Sequence, residues 1–280
     1  MIAFRKPPAL ESFVVKLLAA AAATTAAVVV GSAASAAPQK IPYPASMAAL
    51  GDSLTLASTT PNGEADSWTT GTTPVVKSHY LRLLVANPRI KGKAYNLAEG
   101  GASFAEEKAQ ARRAIALHVE YVTVWDGEEW CGADDLSGLT KDLGGVLAVL
   151  SGGKPQPHVL FVSIRNPATM FRVIRAHRSA VRRDFPNGLP LFLCSLVVGA
   201  KPAQDSKPTV VAKAAASAAR VNATIARECA RYPWCRFDGN AVYRMPLQFA
   251  DLASDYDHMT QAGQRHVADV TWRATFPFGH

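Results

Sequence analysis

Short apolar runs alternate with longer amphipathic stretches along most of this 280-residue chain. Residues 46–50, 93–96, 121–126, 159–164 and 191–196 are apolar and rich in β-formers, which predicts five buried strands. Helical spacing lies between them. It aligns Ala109, Ala114 and Leu117 within 105–118, and Leu139, Leu143, Val146, Leu147 and Leu150 within 136–150. Within 210–232 the same spacing aligns Val211, Ala215, Ala218, Val221, Ile225 and Cys229. A last helix is predicted from Thr260 onward. Residues 37–45, with three prolines, read as an extended lead-in, and the Gly/Pro-containing segments 151–155 and 201–208 as loops. Strands alternating with helices predict a parallel sheet covered on both faces, a three-layer α/β/α sandwich.

The N-terminal stretch breaks this pattern. Arg5, Lys6 and Lys16 precede an apolar run over 17–30, and Ala34-Ser35-Ala36 offers small residues for cleavage. Residues 1–36 therefore read as a secretory signal peptide, the run being short of the ~20 residues that span a bilayer. Residues 37–280 read as one exported domain. The formal charge of +8 falls to +6 when Arg5, Lys6, Lys16 and Glu11 leave with the leader. Such an excess suits a solvated face or transient contact with an anionic lipid or cell-wall surface. No aromatic-interleaved basic stripe points to nucleic acid. The arginines at 172, 175, 178, 182 and 183 read as the polar face of a helix.

The four cysteines, Cys131, Cys194, Cys229 and Cys235, are even in number, as expected of two disulfides in an exported protein. Sequence allows three connectivities. Cys229 and Cys235 are near enough to close a small loop around Tyr232-Pro233-Trp234, which leaves Cys131 for Cys194. Zinc is disfavoured by the lack of Cys-x-x-Cys spacing and of nearby histidines. The carboxylates Asp126, Glu128, Glu129, Asp134 and Asp135 form an acidic group that matches no EF-hand pattern.

Candidate chemistry sits in two short motifs about 200 residues apart. Ser53 follows the apolar run 47–50 through Gly51-Asp52, so it falls just past a strand, where open α/β sheets place their ligands. His258 precedes the last predicted helix, and Asp255, three residues earlier, can reach its Nδ1–H and set the tautomer. Together they supply a nucleophile, a base and an orienting acid. Asp257, adjacent to the histidine, is poorly placed to reach the ring and is expected to be solvated. Trp68 and Tyr80 are expected to pack in the core rather than line an acyl pocket. The sequon Asn222-Ala223-Thr224 falls mid-helix and reads as incidental.

On these residues the chain resembles the SGNH (GDSL-type) hydrolases, in particular their secreted bacterial esterase/lipase branch. Gly51-Asp52-Ser53-Leu54 matches the nucleophile block, and the segments 67–72 and 78–80 are similar to that branch. Asn96-Leu97-Ala98-Glu99-Gly100-Gly101-Ala102 matches the block whose glycine lines the oxyanion hole. Asp255-Tyr256-Asp257-His258 matches the Asp-x-x-His block, with Gly263-Gln264 following, and the four cysteines stand where the branch carries disulfides. The resemblance implies a flavodoxin-like α/β/α fold with a five-stranded parallel sheet. It implies Ser53 as nucleophile, His258 as base and then acid, Asp255 as orienter, and the Ser53 and Gly101 N–H groups as oxyanion donors. It further implies carboxylic ester substrates, lipid or acylated carbohydrate, and no cofactor. A monomer without a metal is the accompanying expectation.

One block departs. Where the family reads Gly-x-Asn-Asp, this chain reads Asp126-Gly127-Glu128-Glu129-Trp130-Cys131. Alignment on Gly127 puts Glu129 at the asparagine position, and alignment on Cys131 puts Glu128 there. Losing one oxyanion donor costs about 10²–10³ in rate. An ionised carboxylate ~5 Å from the oxyanion adds roughly 3 kcal/mol of repulsion at an effective dielectric of ~20. Three readings follow: a protonated glutamic acid donates in place of the amide, the carboxylate turns away and leaves a reduced hole, or the fold serves as a non-catalytic ligand-binding or surface-interaction protein.

Overall fold

Alternating side chains on the strands build the molecule outward in two directions. The computed structural model describes residues 40–279, so the expected signal peptide, residues 1–36, lies outside the described residues. Five strands, β1 (Met47–Gly51), β2 (Ala94–Asn96), β3 (Tyr121–Trp125), β4 (His158–Phe161) and β7 (Cys235–Phe237), form one sheet in the order β2-β1-β3-β4-β7. Every pairing in it is parallel.

Ala48 and Leu50, Val122 and Val124, and Val159 and Phe161 point to one face of this sheet. They pack there against α3 (Phe104–Ala116), α4 (Ser137–Leu150) and α7 (Pro208–Cys229). Met47, Tyr121, Trp125 and Leu160 point to the other face, against α1 (Ser53–Leu56), α2 (His79–Ala86) and α8 (Gln261–Ala274). The fold is thus a three-layer α/β/α sandwich with a five-stranded parallel sheet. Burial on both faces explains why the strands read as unbroken apolar runs.

The fifth strand is not the one the sequence pattern indicates. Residues 191–196 do not join the sheet, because Cys194 and Ser195 turn through φ values of 58° and 54°. That reversal makes a small antiparallel pair of β5 (Leu189–Pro190) and β6 (Val197–Val198). With α5 (Pro167–Ala176) and α6 (Arg178–Asp184), the pair encloses a third apolar cluster that includes Met170, Ile174, Leu191 and Leu196. The arginines at 172–183 therefore lie on two helices broken at His177 rather than on one. The sheet edge is filled instead by Cys235–Phe237, which is only three residues long. One disulfide, Cys229–Cys235, joins the end of α7 to this strand, and the other, Cys131–Cys194, joins the loop after β3 to the turn before β6.

All five sheet strands run the same way, so their carboxyl ends share one edge. That edge carries Ser53 after β1, Gly101 after β2, Glu128 and Glu129 after β3, and Arg165 after β4.

Candidate active site

The turn after β1 is built to project Ser53. Gly51 sits at φ +142°, and a Cβ there would lie 2.5 Å from the Trp125 carbonyl oxygen and 2.7 Å from Thr55 Oγ1. Only glycine fits such a turn. Gln110, buried on α3, holds Gly51 at both ends: its Oε1 accepts from the Gly51 N–H at 2.8 Å, and its Nε2 donates to the Gly51 carbonyl at 3.0 Å. Asp52 caps α1 by accepting from the Leu54 N–H at 2.8 Å. Ser53 opens that helix, so its own N–H has no intrahelical acceptor. Gln264, fully buried on α8, accepts from the Trp68 N–H at 2.9 Å and donates to the Leu54 carbonyl at 2.8 Å, fixing α1 from the other side.

His258 and Asp255 meet Ser53 from the loop before α8. The Ser53 Oγ to His258 Nε2 distance is 2.8 Å, and Asp255 Oδ2 lies 2.7 Å from His258 Nδ1. The other carboxylate oxygen, Oδ1, accepts from the Asp257 and His258 N–H groups, each at 3.0 Å. Burial works against the Asp255 charge. Those hydrogen bonds outweigh it and hold the carboxyl below its ordinary range. An ionised Asp255 fixes the proton on Nδ1, which leaves Nε2 free to accept from the serine hydroxyl. The loop is anchored by Tyr256, at φ +60°, whose buried ring packs on Phe249 and Phe185 and whose hydroxyl donates to Asp184 at 2.6 Å.

Opposite Ser53, the Gly101 loop is tied to β1 by two bonds, Leu97 N–H to the Ala49 carbonyl at 2.9 Å and Glu99 N–H to the Gly51 carbonyl at 3.1 Å. Gly101 itself sits at φ +76°.

Glu128 and Glu129 diverge. Glu128 forms a two-pronged ion pair with Arg165, Nε to Oε1 at 2.7 Å and Nη2 to Oε2 at 2.5 Å. Glu129 stands outside this ion pair and is exposed. Partial desolvation is the first cause that raises its carboxyl above the ordinary range, with Glu128 adding to the rise, against nearby backbone N–H groups that lower it.

Arg165, only 2 % exposed, is the residue that spacing did not reveal. Besides Glu128, it donates to the Asp257 carbonyl oxygen through Nη1 and to Asp257 Oδ1 at 2.9 Å. Asp257 is thus pinned by an ion pair, a correction to its expected solvation. The guanidinium ties the loop after β3 to the residue preceding His258. Its own segment is fixed by Asn222, whose Oδ1 accepts from the Ile164 N–H at 2.8 Å, and by Ser163, which donates to Asp238 at 2.8 Å. The sequon asparagine is therefore a buried structural residue.

Behind the edge lie two buried carboxyls, Glu107 on α3 and Asp126 after β3. Asp126 Oδ1 accepts from the Gly127 N–H at 2.6 Å, while Asp126 Oδ2 and both Glu107 oxygens have no hydrogen-bond partner. Burial without donors favours the neutral acid over the carboxylate. Burial is the first cause that raises both well above their ordinary range. Burial, then Glu128, also pushes Asp52 up to about 7, against the Leu54 N–H and Arg165. Each such group binds its proton more tightly folded than unfolded. Its contribution is complete at low pH and is lost, by about 1.4 kcal/mol per pH unit, as pH climbs from ~4 toward the folded pKa. Groups held below their ordinary range, such as Asp255 and Asp66, change stability only on the acid side of ~4. Thermal melts should therefore show Tm falling from pH 5 to pH 8. Glu107→Gln should flatten that slope and raise Tm at pH 8 by about 4–8 °C. A Tm that rises over this window would contradict the burial of protonated carboxyls.

Among the described residues no three His, Cys, Asp or Glu side chains converge as metal ligands would. Asp135 of the acidic group instead holds the start of α4, accepting from the Ser137 N–H at 2.9 Å. Trp68 is fully buried against Trp125 and His79, and Tyr80 is buried in the same cluster. Among the described residues no helix is long and apolar enough to cross a membrane.

No protein-family model matches the chain, and no curated protein does. Among solved structures, a catalytic mutant of Axe2, an acetylxylan esterase from Geobacillus stearothermophilus, aligns with a TM-score of 0.51 at 14% identity. The alignment covers 84% of this chain and 96% of that one. The fold is the SGNH-hydrolase fold. TesA aligns at a TM-score of 0.48 and 14% identity over 82% of this chain and 97% of its own. A GDSL-like protein from Parabacteroides merdae aligns at 0.48 and 13%, over 85% and 99%. The fold assignment rests on the first of these.

Proposed function

We propose that this protein is an exported serine esterase that hydrolyses carboxylic esters of lipid or acylated carbohydrate through Ser53, His258 and Asp255. The observation that carries this reading is the continuous hydrogen-bonded line from Ser53 Oγ through the His258 ring to Asp255. Residues 1–36 act as the signal peptide and 37–280 as the catalytic domain. The two disulfides support export to an oxidising compartment.

In this reading Ser53 Oγ attacks the ester carbonyl carbon while its proton passes to His258 Nε2. The carbonyl π electrons move to oxygen, where the Ser53 and Gly101 N–H groups meet the charge. Collapse expels the alcohol, which takes the proton from His258, and leaves an acyl-serine. Water then repeats the sequence, with His258 as base, and releases the carboxylic acid. Ionised Asp255 steadies the imidazolium in both halves. Glu128 is held in an ion pair by Arg165, which it shares with Asp257, so in this reading Glu129 is the carboxyl left to meet the oxyanion. Protonated, Glu129 can donate to the oxyanion; ionised, it repels it.

Hydrolysis of short and medium p-nitrophenyl esters from pH 4 to 9, with Ser53→Ala as control, tests the reading. The expected result is Ser53-dependent turnover with a bell-shaped profile, limited at low pH by protonation of the base His258 and at high pH by ionisation of Glu129. Glu129→Asn should restore the missing donor and raise the rate at pH 8 by about 10²-fold. An unchanged rate would remove Glu129 from the oxyanion hole. Equal inertness of wild type and Ser53→Ala at every pH would favour a ligand-binding protein on the same fold.

A further inference from the structure

A second concavity lies away from the triad, walled by α5, the 201–208 segment and the first turns of α7. Its volume is about 870 Å³, within the ~300–1,000 Å³ usual for small-molecule sites. None of Ser53, His258 and Asp255 lines it.

Its chemistry is divided. Phe171, Ala176, Pro202, Pro208 and Val211 supply an apolar wall. Ser206, one of the few polar residues in that wall, has its hydroxyl oxygen engaged by the Val197 N–H at 2.8 Å. Four cations, Arg172, Arg175, Arg178 and Lys207, face the same space. Asp205 is the sole carboxylate among the lining residues, and it is already shared between Arg178 and, at 3.2 Å, Arg175. The groove therefore keeps a surplus of positive charge. Arg178 Nε is buried with no hydrogen-bond partner, and Arg172 makes one side-chain bond, to Thr169 at 3.1 Å. A buried guanidinium N–H without an acceptor is a cost that an anionic ligand can relieve.

A ligand that satisfies all of this has one compact anionic end and an apolar body without polar groups. We propose that the groove binds a free medium- or long-chain carboxylate, with its head on the arginine rim and its chain along Phe171 and Val211. The planar guanidinium fork fits a carboxylate. An open groove with walls from three segments suits a single chain rather than a bilayer surface. The proposal stands on the groove itself and does not depend on ester hydrolysis.

Isothermal titration of the mature protein with sodium dodecanoate, kept below micelle formation, tests it. Saturable one-site binding is expected in wild type and equally in Ser53→Ala. Arg172→Glu with Lys207→Glu should weaken it at least about tenfold, with Tm unchanged because both side chains are exposed and neither pairs with Asp205. Dodecanol should bind as weakly as dodecanoate binds the double variant. No saturable binding of dodecanoate would overturn the proposal, as would binding that survives the double variant, which would put the chain in the catalytic cleft. Binding of inorganic phosphate without dodecanoate, or association only with anionic vesicles, would also overturn it.

Discussion

Replacing His258 with alanine should lower kcat on p-nitrophenyl esters by about 10³–10⁴-fold. In a complete site the loss of the serine or the base costs about 2 × 10⁶. On the proposed reading the altered oxyanion block already lowers the starting rate by about 10²–10³, which compresses the measurable range. The geometry sets the direction. His258 Nε2 lies 2.8 Å from Ser53 Oγ, and without it the hydroxyl has no acceptor for its proton. KM should change little, since the imidazole acts on the reacting atoms rather than on the bound ester. Steady-state kinetics beside Ser53→Ala check this. His258→Ala and Ser53→Ala should leave the same residual rate, because they disable one unit. A residual rate in His258→Ala far above that of Ser53→Ala would mean that another base serves the serine.

The second large effect is expected at Arg165. Arg165→Met leaves the Glu128 and Asp257 side chains, 15% and 17% exposed, without their counter-ion. Breaking such a buried pair costs about 3 kcal/mol, which corresponds to about 6–12 °C in Tm at this chain length. It also frees the Asp257 carbonyl, one residue from His258, and a shift of ~1 Å there costs about 10²-fold in kcat. Arg165→Lys keeps the charge without the two-pronged geometry and should fall between the two. Adding Glu128→Gln to Arg165→Met should recover part of the stability but little of the activity. That split separates the ion pair's structural cost from its positioning of the histidine loop. Activity that recovers together with stability would argue against a positioning role.

Local chemistry was legible in the sequence. Gly51-Asp52-Ser53 and Asp255 to His258 are short segments whose geometry is set by one turn of backbone each, and Thr260, which caps α8, follows the same logic. Partners far apart in sequence were not. Arg165 meets Glu128 across 37 residues and Asp257 across 92, and in sequence it reads as one more surface arginine. Gln110 reads as the polar side of a helix, though it is buried and grips Gly51 across 59 residues. Asp257 was misplaced because its partner could not be seen. The fifth strand was misread for a physical reason as well. Residues 191–196 carry a strand's apolar content, but the tight turn at Cys194 and Ser195 breaks them. Cys235–Phe237 has too few residues to show a period, and its place is set by pairing with β4 and by the disulfide to α7.

Whether Ser53 is an activated nucleophile is the central question, and labelling with a fluorophosphonate followed by mass spectrometry answers it most directly. One phosphonyl adduct per chain on Ser53 is expected in wild type, with none in Ser53→Ala and strongly slowed labelling in His258→Ala. An unlabelled wild-type Ser53 across pH 5–9 would contradict the account and leave the hydrogen-bonded line as an inert remnant in a binding protein.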